Sequence, residues 1–379
     1  MSIESAIDIT AKNRGADTPE TAGRALKMWN IAVLSGDGIG PEVMAESIKV
    51  IRAVERRLNG VGFALNEVSA GAGEFLASGD PLPPSAFEAC RTADAVLLAA
   101  MGLPEVRWPD GKELTPQIDL REKLDLYSGV RPIRLFHAQD TPLKGFTGGA
   151  IDFVIVREST EGLFSGRLSL RNESDTEYSD TLRITRRGSE RVFRSAFGLA
   201  RTRRRKVTLV DKANVLPSMV FFRRVFDEIA QGYPDVQTER VYVDAASLFL
   251  LRRPDTFDVM VTENMFGDIL SDLAAGLVGG MGMAPSADIG DQHAVFQPSH
   301  RSAPDIAGRG IANPVAMILS VAMMLEWLKH PEPARGGAMI RQAVAAVLAN
   351  PENRTPDLGG KLSTGAMGDL VVANLCSTP

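Results

Sequence analysis

Two aspartates, Asp268 and Asp272, stand four residues apart in ENMFGDILSDLAAG. On a helix that spacing puts both carboxylates on one face. Like charges so close repel unless water or a cation lies between them. Hard divalent ions take such oxygens, with water and substrate completing the shell. The spacing by itself also fits a solvated helix face. The apolar neighbours Met265, Phe266, Ile269 and Leu270, after a buried strand, shift the balance towards the cation. Asp244, just after TERVYV, is a possible third ligand. Arg121 and Arg131 flank EKLDLYSGV, and Arg157 closes the run FVIV. Isolated arginines are usually surface residues, but the end of a buried strand is where α/β folds hold ligands. Guanidinium forks pair with carboxylates through two hydrogen bonds. Three of them beside a metal describe a site for a polycarboxylate. Lys212 follows VTLVD and is either a surface lysine or a general base or acid.

The elements that must position these groups alternate between short apolar runs and longer helical patterns, which argues for α/β layering. Runs at 31–37, 95–102, 153–159, 206–214, 238–246 and 258–264 read as buried strands. Helices are predicted at 41–58, with Pro41 at its first position, at 313–330 and at 338–350. The turn GDGIGPE (36–42) tempts a dinucleotide-fingerprint reading, but its spacing is G-x-G-x-G followed by Pro, not G-x-G-x-x-G, and a tight strand-to-helix turn fits better. Two stretches break the rhythm. Residues 104–117 form a Pro-rich charged loop, and residues 279–314 are rich in Gly and Pro with little periodicity. Loops so long inside a compact chain are usually functional or disordered, and their many apolar residues and tight turns favour function.

Composition narrows the classes. The chain has 379 residues, 44% apolar and 23% charged, which is the globular range and predicts about two domains. A net charge of -5 gives no pull towards nucleic acid or an anionic membrane. The basic run RTRRRK (201–206) carries no interleaved aromatics and reads as a solvated helix end. No apolar run approaches the ~20 residues of a membrane span. Two distant cysteines, Cys90 and Cys376, exclude a disulfide framework and fit a reducing cytoplasm. Residues 1–28 lack the apolar core of a signal peptide and read as a loose extension.

Together the segments GDGIGPEV (36–43), LREKLDLYSGVRP (120–132), VRESTEG (156–162), VDKANVL (210–216), NMFGDILSDLAAGLVGGMGMAPSA (264–287) and SAPDIAGRGIANP (302–314) resemble the isocitrate/isopropylmalate dehydrogenase family of metal-dependent β-decarboxylating enzymes. The resemblance runs from about residue 30 to the C-terminus. It implies a two-lobed α/β fold with a shared large sheet, not a Rossmann fold. Residues 29–126 with 279–379 would form the cofactor-binding lobe, and 127–278 the substrate and dimerisation lobe. It implies a homodimer with shared sites. Arg121, Arg131 and Arg157 would clamp the carboxylates of a small hydroxy-polycarboxylate. Asp268 and Asp272, with Asp244 from the partner subunit, would hold Mg²⁺ or Mn²⁺, and the partner's Lys212 would take the hydroxyl proton. Ile39 would lie near the nicotinamide. His300, Arg301, Ser302, Ala303, Asp305, Ile306 and Asn313 would wrap the adenosine half, with the Asp305-Ile306 pair resembling the version that takes NAD.

Three positions depart from the family pattern. Phe164 stands where a tyrosine is usual and lacks the hydroxyl that helps protonate the enolate after decarboxylation. Arg301 replaces a glycine, and Gln297 replaces a glutamate. Thr115 and Gln117 fall where isocitrate enzymes carry a serine and an asparagine. Thr115 also suits a helix N-cap before Pro116. This predicts a polar or small substituent at C3, as in isocitrate, tartrate or D-malate, and disfavours isopropylmalate. Two alternatives follow from the departures: a catalytically weak regulatory or binding paralogue, and a hydroxyacid dehydrogenase that releases no CO₂.

Overall fold

The computed structural model describes residues 26–167, 176–177 and 179–377. Ten strands form one sheet: β1 (Lys27–Gly36), β2 (Val61–Glu67), β3 (Ala95–Ala100), β4 (Ser128–Arg134), β5 (Asp152–Glu158), β6 (Lys206–Asp211), β7 (Gln237–Tyr242), β8 (Val259–Thr262), β9 (Pro285–Ile289) and β10 (Ala294–Pro298). Their order is β2-β1-β3-β10-β9-β4-β5-β8-β6-β7. β1 opens at Lys27, so the last residues of the stretch 1–28 belong to the sheet, while residues 1–25 lie outside the described residues.

The strands AVLLAA of β3 and VMVT of β8 are buried along their whole length. Continuous apolar runs of this kind mark strands covered on both faces. One core packs β1, β3 and β10 under the helices Gly40–Glu55, Val315–Trp327 and Pro331–Ala349, which come from the two ends of the chain. Val315–Trp327 is apolar all round and buried from Val315 to Leu325, as a central helix must be. A second core, from the middle of the chain, sets β5, β6 and β8 against the helices Arg186–Arg201 and Pro217–Ala230, whose Phe193, Phe197, Phe222 and Phe226 rings interlock.

The segment 279–314 is not the irregular loop its composition predicts. It holds β9 and β10, an antiparallel hairpin at the centre of the sheet. β10 runs parallel to β3, and β9 runs antiparallel to β4, so this hairpin joins the two halves. Two five-residue strands flanked by Gly and Pro, with Ser286, Asp288 and Gln297 buried among apolar residues, present neither an alternating nor a continuous pattern. The helix predicted at 338–350 starts earlier, at Pro331. Gly337 permits this helix to press on its neighbour, because a Cβ there would lie 2.7 Å from the Ala322 carbonyl oxygen.

The basic run 201–206 is stitched into the fold by acids. Arg201 pairs with Asp235, Arg203 with Asp152 and Asp258, and Lys206 with Glu239. No helix among the described residues is long and apolar enough to cross a membrane.

Candidate active site

The arginines reach one place from three elements. Arg121 lies on the helix Pro116–Lys123, Arg131 on β4 and Arg157 at the end of β5, and all three are buried. Arg157 donates from Nε and one terminal nitrogen to Asn264 Oδ1, at 3.0 and 2.6 Å, and from the other terminal nitrogen to Asp268. Asn264 and Asp268 sit on the helix Asn264–Gly276, which follows β8 directly. Its start is fixed by Glu263, whose carboxylate accepts from the backbone N–H groups of Phe266 and Met265. The helix can cross Arg157 only because residue 267 is glycine: a Cβ there would stand 2.7 Å from the Arg157 side chain.

Burial lowers the Arg157 guanidinium to about 10, helped by the neighbouring charge of Arg121. Burial also lowers Arg131. On the facing helix the Asp272 carboxyl is raised, first by burial and then by the Asp268 charge, against the pull of Arg131, Arg301 and Arg157. Cationic and anionic groups therefore confront each other across this site. Several buried atoms have no protein partner: Nε of Arg121, Nε of Arg131 and Oε1 of Gln117. Unpaired guanidinium donors in a buried place are what an anionic ligand satisfies.

Among the described residues no group of three metal-binding side chains forms within one chain. Asp268 and Asp272 stand one helical turn apart, whereas Asp244 begins the helix Val243–Arg252 and accepts from Lys212 Nζ at 2.9 Å. That hydrogen bond holds the Asp244 carboxyl below the usual range. Two carboxylates and open positions fit a hard divalent ion that keeps water and takes substrate oxygens.

The turn after β1 packs on the 300–313 segment. Ile39 N–H donates to the Ser302 carbonyl at 2.8 Å, and a Cβ on Gly38 would lie 2.0 Å from that same oxygen. The glycines of 36–40 serve close backbone approach, as the tight-turn reading requires. Asp37 is buried and accepts from the N–H groups of Ala72, Gly73 and Gly102, locking the adjoining loops. Arg301 is exposed and its φ is not positive. The left-handed residue is Ala303, at φ 38°. Arginine at 301 therefore carries none of the backbone strain that its glycine counterpart implies. His300 Nδ1 lies 3.0 Å from the Arg301 carbonyl, its Nε2 is buried without a partner, and burial lowers its pKa. Asn313 is buried and donates to Asp357, while Asp305 is exposed and Ile306 half-buried. An orphaned imidazole nitrogen beside a glycine-rich turn fits a nucleotide.

Phe164 lies with its ring centre 5.1 Å from the Arg157 guanidinium. Thr115 occupies the N-cap position before Pro116, but its hydroxyl makes no capping bond, and Gln117 shares a helix face with Arg121. Sequence reasoning missed Asn264 and Asp288, both buried and both bonded to the arginines. An acid inside the short apolar run of β9 was the available signal.

A family model described as isocitrate/isopropylmalate dehydrogenase matches residues 30–371. The 3-isopropylmalate dehydrogenase of Moorella thermoacetica is 45% identical over 357 residues, 91% of this chain and 98% of its own. That of Aquifex aeolicus is 40% identical over 362 residues, 92% and 98% of the two chains. The crystal structure of isocitrate dehydrogenase from Methylococcus capsulatus superposes with a TM-score of 0.83 at 39% identity, covering 92% of this chain and 99% of that one. The expectation against isopropylmalate drawn from Thr115 and Gln117 is overturned by relatives this similar that are 3-isopropylmalate dehydrogenases. Residue types at 115 and 117 do not fix what faces C3. Beside them Leu114 is buried in an apolar cluster with Ala72 and Val106.

Proposed function

We propose, from the premise that this chain belongs to the isocitrate/isopropylmalate dehydrogenase family, that it oxidises and decarboxylates 3-isopropylmalate. It is an NAD-dependent decarboxylating dehydrogenase acting on the CH–OH group of a small hydroxy acid. The observation that carries the substrate reading is identity of 45% and 40% to two 3-isopropylmalate dehydrogenases over nine-tenths of the chain, and the buried arginine cluster facing Asp268 and Asp272 supports a carboxylate-bearing ligand beside a cation.

In this reading Arg121, Arg131 and Arg157 hold the two carboxylates, with Arg157 fixed by Asn264 so that its fork presents a set direction. Asp268 and Asp272 would hold Mg²⁺ or Mn²⁺, and the ion would supply Lewis acidity there. NAD would supply the hydride acceptor. Ile39, His300, Arg301, Ser302, Ala303, Asp305, Ile306 and Asn313 line its place, and the Asp305 carboxylate suits ribose hydroxyls and opposes a 2′-phosphate. Lys212 takes the hydroxyl proton. Because Asp244 and Lys212 stand apart from the other carboxylates within one chain, a second copy supplies them, completing a homodimeric site. The exposed apolar side chains Val215, Val220, Leu248, Leu251 and Ile269 on the surrounding elements support such an interface. The lobe division at residues 126/127 and 278/279 then separates cofactor from substrate functions. A reducing cytoplasmic setting, suggested by the presence of only two, distant cysteines, is part of the same reading.

The test is turnover of 3-isopropylmalate against isocitrate, D-malate and tartrate with NAD and Mg²⁺, measuring NADH and CO₂ together. The expected result is equimolar products and the highest kcat/KM on 3-isopropylmalate. A preference for any of the other three acids rejects the substrate.

Phe164 keeps an aromatic wall over Arg157 but offers no proton. A positioned general acid contributes ~10²–10⁴-fold, of which a hydroxyl restored at position 164 recovers part. Phe164→Tyr is therefore expected to raise kcat by about 10-fold with CO₂ still equal to NADH. Unchanged kcat would show that protonation after CO₂ loss is not limiting.

A further inference from the structure

Behind the arginine cluster lies a carboxylate that the proposed mechanism does not use. Asp288 is 1% exposed, on β9 at the centre of the sheet. Register puts it in line with the cluster: Asp288 pairs with Gly129 of β4, and Gly129 pairs with Arg157 of β5. Directly opposed residues project to the same face, so Asp288 and Arg157 look across a glycine. A side chain at 129 would crowd both, since a Cβ there would lie 3.1 Å from Asp288 Oδ1 and 2.7 Å from Ser159 Oγ. Asp288 Oδ2 accepts from Arg121 at 3.1 Å and from Gln297 Nε2 at 2.6 Å. Gln297, on the adjacent β10, is also buried. Asp288 Oδ1 has no partner. Burial pushes the carboxyl up, but Arg121, Arg131 and Arg157 outweigh it and hold it below the ordinary carboxylate range. It is a charge at neutral pH.

We infer that Asp288 is a specificity-determining counter-ion of the arginine cluster, which cancels one of three guanidinium charges and so fits the site to a dicarboxylate rather than a tricarboxylate. This rests on the assignment of Asp268 and Asp272 to a divalent cation, which balances their charge, while Lys212 and Asp244 from the second copy cancel each other. Three guanidinium groups less one fixed carboxylate then leave two positive charges for the ligand. Two carboxylates match them. A third enters a site whose remaining cation is already engaged, with a buried like charge a few ångströms behind it. Gln297 completes the device: its amide binds the carboxylate without adding charge, so the count is set by residue 288 alone.

The test is calorimetric and needs no turnover. Glutarate and propane-1,2,3-tricarboxylate differ only in the central carboxylate, and each is titrated into the full-length protein in Mg²⁺ buffer. Asp288→Asn is expected to shift the ratio of the two affinities towards the tricarboxylate by roughly tenfold. Gln297→Glu alone, which places a second acid beside Asp288, is expected to weaken both ligands. The double variant Asp288→Asn/Gln297→Glu restores the wild-type ratio, because the charge has moved by one strand only. A ratio within about twofold of wild type in Asp288→Asn overturns the inference, as does failure of both probes to bind any variant. If Asp288→Asn does not fold, undiminished affinity in Gln297→Glu overturns it. Absence of NADH from 3-isopropylmalate with the calorimetric shift intact would reject the substrate and leave the counter-ion standing.

Discussion

Lys212→Met is expected to lower kcat by ~10²–10⁴-fold, the usual contribution of a positioned acid–base group. Methionine keeps the length and the apolar stem and removes only the ammonium. Lys212 lies just beyond the end of β6, in the chain segment that also brings Asp211 onto Arg223, and its Nζ is fixed by Asp244 at 2.9 Å. The variant therefore leaves the arginine cluster and the Asp268–Asp272 pair untouched. KM for 3-isopropylmalate should stay within about threefold, because carboxylate binding belongs to other residues. A fall in kcat/KM carried by KM alone would assign Lys212 to binding. Mixing this variant with an Asp272→Asn variant tests the shared site. If the two copies exchange, hybrid dimers regain one intact site, and activity returns in proportion to the hybrid fraction.

The second large effect is on stability. Arg354 and Asp140 form an ion pair with both side chains 1% exposed, joined by two hydrogen bonds of 2.7 and 3.0 Å. The guanidinium also donates to the carbonyls of Leu348, Asn350 and Asn353, so every arm is used. Asp140→Ala leaves an uncompensated buried cation, and the expected loss is about 3–5 kcal/mol. The double variant Asp140→Leu/Arg354→Met removes both charges and should recover most of that loss, since a buried pair is worth little against apolar packing. Denaturant midpoints of the two variants make the comparison. Equal midpoints would mean that the carbonyl bonds, not the charge pairing, hold the segment.

Much of this architecture is legible in the residues. β3 and β8 announce themselves because strands covered on both faces need unbroken apolar runs. The Asp268–Asp272 spacing and the arginine at the end of β5 point to one chemistry, and the fold sets Arg157 against Asp268. The β9–β10 hairpin is illegible for the reason that makes it matter. Its buried Asp288 and Gln297 break the pattern that marks a strand, and local rules fail where polar groups are kept for function. The substrate was misread at Thr115 and Gln117 because residue type does not give direction. The hydroxyl of Thr115 is at the head of a helix without capping it, and the carbonyl of Gln117 is buried without a protein partner.

The position of that hairpin also governs how the chain comes together. β3 ends at Ala100 and β4 starts at Ser128, neighbours in the chain, yet β10 and β9, from residues 294–298 and 285–289, lie between them. A polypeptide leaving the ribosome therefore carries two unfinished sheet margins until its last third has emerged. Pairings of such high contact order form slowly and leave sticky borders exposed in the interval. Early termination anywhere before residue 298 should yield aggregates rather than a folded half-protein, so synthesis of this enzyme leans on whatever shields nascent chains.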